Sequence, residues 1–115
     1  MATLINKTKN QILDLKVEVA ETFWARARGL LGRSSMGEVQ ALWIPRCNSI
    51  HTFFMKFAID CVFVDKNLKV RAIYSNVEPG RLVLPVWGAT SVFELASGVS
   101  SKMNISVGDQ LNVGT

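Results

Sequence analysis

The stretch AIDCVFVDKNLKVRAIY, residues 58–74, decides the fold, because two apolar runs flank one short polar segment. Both runs are rich in β-branched and aromatic residues, which are typical of strands. Asp65, Lys66 and Asn67 fit a short loop between them, and we expect Asn67 to take a left-handed backbone conformation, which asparagine tolerates. The stretch therefore predicts an antiparallel β-hairpin.

The flanking sequence also favours strands. In QILDLKVEVA, residues 11–20, polar and apolar residues alternate, as they do in a half-buried antiparallel strand. EVQALWIPRC, residues 38–47, indicates a strand that ends at Pro45, since proline has no N–H to donate to a ladder. Turn residues bound three more candidates: an irregular or edge strand over 78–87, a short strand in SVFELASG over 91–98, and a last strand near 110–113.

One segment changes period. In ETFWARARGLLGRSS, residues 21–35, the apolar positions follow a single helical face, so a short amphipathic helix is predicted near residues 22–32. Its polar side carries Arg26, Arg28 and Arg33. These arginines are interpreted either as a solvated cationic face or as an anion-binding edge.

Length and composition define the fold class. At 115 residues, with 49% apolar and 19% charged residues, the chain has material for one core. We therefore expect a single domain over residues 1–115. Many short strands with one helix predict a mainly β fold, a small antiparallel β-sandwich or barrel with one short amphipathic helix.

Charge and motifs weigh against several classes of function. The net charge is only +4 and the basic residues are mostly scattered, so nucleic-acid binding through Trp24 and the three arginines is not expected. The sequence contains no phosphate loop, dinucleotide fingerprint or zinc motif, so we expect no cofactor and no metal. The sequence also shows no signal-peptide core and no apolar window of about 18 residues, so we expect a cytoplasmic protein without a membrane span.

Four motifs together resemble a known family. RARGLLGR, PRCNSIHTFFMKFAIDCVFVDKNLKV, SVFELASG and VGDQL are similar to domain of unknown function 192, a family of small bacterial and archaeal proteins, over about residues 4–113. The resemblance implies a compact β-rich sandwich or barrel with a short helix, and it implies no activity. The family pattern falls on Gly29, Leu30, His51, Thr52, Met55, Ile59, Asp60, Phe63, Glu94, Gly98, Gly108 and Asp109. The chain departs from it at Leu31, where methionine is common, and this swap conserves volume.

Three ionisable side chains stand inside apolar segments. His51 is either a hydrogen-bonded part of the scaffold, a ligand contact or a proton-transfer group. Asp60 either accepts backbone N–H groups or faces a pocket, because an unpaired buried carboxylate is costly. Glu94 is either an exposed strand residue or a third member of the same site. We predict a ligand-binding site made of His51, Thr52, Met55, Asp60 and Glu94.

These residues favour a non-enzymatic binding module for a small molecule or peptide. The alternative is a small hydrolase or isomerase that uses His51, Asp60 and Glu94 for proton transfer. Residue types alone do not decide whether the protein is an enzyme. The same holds for the ligand and the oligomeric state. Cys47 and Cys61 are either two free thiols or a disulfide bridge, since their spacing in the sequence permits both.

Overall fold

The fold is mainly β, as predicted. A computed structural model describes residues 2–20 and 35–114. Within these ranges it contains nine strands and one short helix, α1 (Val99–Lys102). The strands are β1 (Thr3–Asn6), β2 (Gln11–Val19), β3 (Gln40–Pro45), β4 (Ile50–His51), β5 (Ile59–Val64), β6 (Val70–Val77), β7 (Leu82–Val83), β8 (Ser91–Ala96) and β9 (Leu111–Gly114). The helix predicted near residues 22–32 lies outside the described residues.

Seven strands form a mixed sheet in the order β6-β5-β8-β3-β2-β1-β9. All its pairings are antiparallel, as expected, except that β2 and β3 run parallel. The sheet is not closed into a barrel, and its two end strands approach each other at an isolated bridge between Lys69 and Gln110. Strands β4 and β7 form a separate two-stranded sheet, called here the β4/β7 ribbon.

The hairpin predicted from residues 58–74 is confirmed as β5 and β6, which pair antiparallel. One oxygen of Asp65, Oδ1, accepts the backbone N–H groups of Asn67 at 2.8 Å and Lys69 at 3.0 Å. The left-handed residue of the turn is Leu68, with φ of 64°, so the expectation for Asn67 was wrong. The carboxylate draws the amides at 67 and 69 inward and leaves the positive φ to the residue between them.

The core is centred on β5 and β8, the two strands that follow β6 in the order of the sheet. Every position of β5 and of β8 is buried, on both faces of the sheet. Strands buried on both faces read as continuous apolar runs, which explains the unbroken CVFV of β5. Two carboxylates, Asp60 on β5 and Glu94 on β8, are buried within this apolar centre.

Candidate functional site

A groove lies between β6 and β7, two consecutive strands that do not pair with each other. The chain reverses between them at residues 78–81, yet β6 pairs with β5 and β7 pairs with β4. The space between them is about 510 Å³, within the usual range of ligand pockets. It is lined by Tyr74, Asn76, Val77, Glu78, Arg81, Leu82, Val83 and Leu84, and is called here the β6–β7 groove.

Thr52 fixes the turn that closes one end of the groove. Its buried hydroxyl donates to the carbonyl oxygen of Glu78 at 2.6 Å and accepts the backbone N–H of Arg81 at 2.8 Å. Its backbone N–H donates to the carbonyl of Arg81, and its carbonyl accepts the N–H of Gly80. The turn at residues 78–81 is therefore hydrogen-bonded to the end of β4, and it does not form a tight hairpin between β6 and β7.

Asp60 fixes the β6 wall of the groove. Its Oδ1 accepts the backbone N–H of Asn76 at 2.8 Å, at a bulge in the β5–β6 pairing where Asn76 has φ of 53°. The other oxygen accepts the N–H groups of Gly98 at 3.1 Å and Ser100 at 2.9 Å, and the Ser100 hydroxyl at 2.6 Å. Backbone hydrogen bonding, one of the two alternatives weighed from the sequence, is what holds this carboxylate.

His51 lies beside the groove on the exposed face of the β4/β7 ribbon. It is paired with Leu82, so the two side chains share a face, and its ring stacks on Phe53 with centroids 5.3 Å apart. On the opposite face, Ile50 and Val83 are buried. The ribbon therefore presents an exposed imidazole and apolar side chains next to the groove.

The other two predicted site residues are buried. Met55 packs in the core, and its backbone N–H donates to the carbonyl of Thr52, which makes it part of the turn behind the groove. Glu94 lies opposite Leu42 and Cys61 in the centre of the sheet. Exposure on a strand surface, one of the two alternatives weighed from the sequence, is ruled out because Glu94 is buried and both faces of β8 are covered.

His51, Asp60 and Glu94 do not share one face of one sheet. Asp60 is paired with Leu95, the residue after Glu94, and paired residues point to the same face while successive residues alternate. Asp60 and Glu94 therefore project from opposite faces of the seven-stranded sheet, and His51 belongs to the β4/β7 ribbon. This arrangement gives no support to a shared proton-transfer set.

The two cysteines, both within the described residues, are not joined by a disulfide. Cys61 is fully buried, and burial raises the pKa of its thiol, with further raising by the charges of Glu94 and Asp60. The Sγ of Cys47, which is half-buried, donates to the carbonyl of Ser49 at 2.9 Å. Cys61 is thus held as a thiol, which is a poor nucleophile.

Within residues 2–20 and 35–114, no group of three or more His, Cys, Asp or Glu side chains is placed to hold a metal ion. In the same part of the chain no helix is long and apolar enough to cross a membrane. The arginines suggested for nucleic-acid binding, Arg26, Arg28 and Arg33, lie outside the described residues.

Sequence reasoning did not identify the residues that line the groove. The available signal was EPGRLVLP, in which a Pro-Gly turn precedes an apolar triplet between prolines. That pattern favours a hairpin with the preceding strand, because consecutive strands usually pair. The hydrogen bonds that keep β6 and β7 apart come from Thr52 and Asp60, which are remote in sequence.

Known proteins that are similar to this chain belong to one uncharacterised family. The model of domain of unknown function 192, described as "Uncharacterized ACR", matches residues 4–113. A UPF0127 protein of Thermococcus sibiricus is 34% identical over 113 residues, covering 95% of this chain and 73% of the relative. A UPF0127 protein of Pyrococcus abyssi is 32% identical over 115 residues, covering 96% and 97%. Both relatives are archaeal.

A solved structure shares the fold. A protein of unknown function from Novosphingobium aromaticivorans superposes with a TM-score of 0.80 over 96% of this chain and 82% of its own. The two sequences are 23% identical, so this likeness supports the architecture alone.

Proposed function

We propose that this chain, which belongs to the family of domain of unknown function 192, is a single-domain, non-enzymatic binding module for a small molecule or peptide. The ligand would lie in the β6–β7 groove, beside His51. A cytoplasmic location is part of the same proposal.

The observation that carries the proposal is that separate predicted site residues converge on one groove. Thr52 bonds the backbone at Glu78 and Arg81, and Asp60 bonds the backbone of Asn76. All three bonded positions line the groove. Buried polar groups that hold a groove open in this way are typical of preorganised binding sites.

The five predicted residues would have different parts. His51 is exposed, so its ring can touch a ligand directly, as can the side chain of the neighbouring Leu82. Thr52, Met55 and Asp60 are buried, so they would act by positioning the walls. A role for Glu94 in ligand binding stays a prediction, since Glu94 lies opposite Leu42 and Cys61 and does not line the groove.

The test is chemical-shift mapping of the ¹⁵N-labelled protein during titration with a fragment library and mixtures of short peptides. We expect at least one compound to shift the amides of the groove residues in a saturable way. Binding should also raise the melting temperature by mass action. If every compound leaves these amides unmoved, or if the saturable shifts map elsewhere, the proposal fails.

A matched pair of variants controls the mapping. Leu82→Asp places a charge on an exposed groove residue, and Ile12→Asp makes the same change at an exposed position on β2, a strand that does not line the groove. Both side chains are more than half exposed, at 60% and 78%, so both variants should fold. We expect Leu82→Asp to weaken binding and Ile12→Asp to leave it unchanged.

A further inference from the structure

The β4/β7 ribbon turns an apolar face to solvent. His51 and Leu82 are paired and share this face, and the exposed Leu84 belongs to it as well, because Val83 between the two leucines is buried. The ring of Phe53, also exposed, stacks on that of His51. No side chain in the described part of the chain buries these four residues, and their surface is called here the ribbon face.

A tight turn with an exposed aromatic residue lies at each end of the ribbon. The turn 52–55 directly follows β4, and the turn 86–89 is bonded through its first residue to the carbonyl of Asn48, just before β4. In each turn the N–H of the last residue donates to the carbonyl of the first, and the last residue is buried. This anchoring leaves Phe54 and Trp87 outside, at 90% and 89% exposed.

The position of Phe54 costs the fold free energy. Its φ is 67°, a left-handed conformation that a bulky residue rarely adopts, because its Cβ crowds the backbone. Since the side chain is almost fully exposed, it adds little to the core in return. Residues held in such sparsely populated conformations cluster at functional sites. Phe54 therefore indicates a contact with something outside the fold.

The chain segments that build this surface are basic. Residues 46–57 and 78–90 contain three basic residues and one acidic residue, Glu78. Lys56 is exposed and directly follows the first aromatic turn. Arg81 is exposed too, and its carbonyl accepts the N–H of the first residue of that turn. Apolar side chains and a net positive charge are thus found together.

Another cation lies at the second aromatic turn. The guanidinium of Arg71, on β6, is so close to Gly88 that a Cβ there would be 2.8 Å from Nη2, and Gly88 is the residue after Trp87. A second copy of this chain would bring like charges together, because a two-fold interface pairs a surface with itself. The charges therefore weigh against self-association and favour an anionic partner.

We propose that this surface binds an anionic lipid bilayer, with Phe54 and Trp87 entering the headgroup region and the cations facing the lipid phosphates. Tryptophan favours the membrane interface, and apolar area together with basic residues sets the strength of such binding. A fluid bilayer accommodates side chains that protrude from turns, whereas a protein partner needs a matching pocket for each. This property goes beyond the proposed function, since neither aromatic residue lines the β6–β7 groove.

The test is co-sedimentation with phosphatidylcholine vesicles that contain or lack phosphatidylglycerol. We expect binding to the anionic vesicles that weakens as salt is added, and at least about fivefold weaker binding to the neutral ones. Phe54→Ala and Trp87→Ala should each weaken binding about tenfold, because each removes a large exposed apolar side chain. Ile12→Ala, at a similarly exposed apolar position on β2, is the control and should bind as the parent does.

A second pair of variants tests the charge. Lys56→Gln should weaken binding to the anionic vesicles about fivefold and leave binding to the neutral ones unchanged, since it removes only the attraction to charged headgroups. Lys16→Gln, at an exposed position of β2, is the matched control. Equal losses for the two variants would show that net charge alone attracts the protein, and this would overturn the assigned surface.

The fluorescence of Trp87 reports the contact directly. Brominated lipids should quench the parent more strongly than Trp87→Phe, which keeps an aromatic ring at the position and should still bind. Quenching of equal size in both proteins would show that Trp87 stays in water, and the inference would fail.

Other outcomes would also overturn the inference. They are no binding to anionic vesicles, a loss for only one of the two alanine variants, and a stable dimer by light scattering that Trp87→Ala dissociates. Binding to polyglutamate with the same dependence on both aromatic residues would indicate an acidic protein partner instead.

The inference and the proposed function fail separately. If fragments shift the groove amides of the parent and of Trp87→Ala alike, the groove binds ligands whatever the vesicles show. If vesicles bind as expected and no fragment does, the lipid surface stands and the groove proposal falls.

Discussion

The carboxylate of Asp60 accepts the backbone N–H of Asn76 at 2.8 Å, although the two residues are 16 positions apart. This contact sits at the β-bulge of β6 and joins the buried centre of the sheet to the wall of the β6–β7 groove. Bulges often re-aim the chain next to a functional site. Asp60 therefore connects the core of the fold to the proposed binding surface.

Asp60→Asn should lower the free energy of unfolding by about 3 kcal/mol, because the charged acceptor of several buried donors becomes an amide whose NH₂ opposes one of them. Urea denaturation measures this loss. Asp14→Asn, at an exposed position of β2, is the matched control and should change stability by less than about 0.5 kcal/mol. Equal stability of the two variants would mean that the carboxylate does not support the fold.

Much of the fold was predictable from local patterns. Residues 58–74 specify β5 and β6, since two strand-forming runs and an Asp-led turn agree with each other. The sequence also marked Asp60 as anomalous, because a carboxylate within an apolar strand needs donors. It did not reveal the donors, which come from Asn76, Gly98 and Ser100.

The groove itself was not predictable from the sequence. Two consecutive strands joined by Pro79-Gly80 are expected to pair. Instead β6 pairs with β5 and β7 pairs with β4, and the hydrogen bonds of Thr52 and Asp60 hold the turn and the bulge between them. Those bonds depend on tertiary placement. The parallel pairing of β2 with β3 was missed for the same reason, since alternation within one strand does not specify the direction of its neighbour.

Acid should destabilise the fold partly through Asp109. Burial alone would raise the pKa of this carboxyl, but bonds from Asn6 at 2.7 Å, the N–H of Ser106 at 2.9 Å and Lys9 at 3.1 Å outweigh it and lower the pKa. A lowered folded-state pKa gives stability that is present above the unfolded value, about 4, and is lost as pH falls through the folded value.

The corresponding prediction concerns the slope of stability against pH. Between pH 5 and pH 2, Asp109→Asn should lose less unfolding free energy than the parent, because it has no carboxylate to protonate there. Urea denaturation at intervals of half a pH unit measures both slopes. Parallel slopes for the two proteins would contradict the role given to Asp109.

Cys61 should be inert in the folded protein. It is fully buried with a raised pKa, and the thiolate is the reactive form. In the variant Cys47→Ser, Ellman's reagent at pH 8 should label Cys61 only at the rate of global unfolding, so labelling should accelerate with urea. Rapid labelling without denaturant would show that the centre of the sheet opens locally.

Thr52→Val tests the central claim most directly, because Thr52 is buried and can affect a ligand only through the walls it holds. The variant keeps the shape of the side chain and removes the two hydroxyl bonds, to the carbonyl of Glu78 and from the N–H of Arg81, while the backbone bonds of residue 52 remain. The measurement is the affinity of a groove-binding compound for parent and variant, with folding checked by circular dichroism. We predict at least about tenfold weaker binding to a folded variant, from the lost preorganisation. Unchanged affinity would contradict a groove built by these bonds.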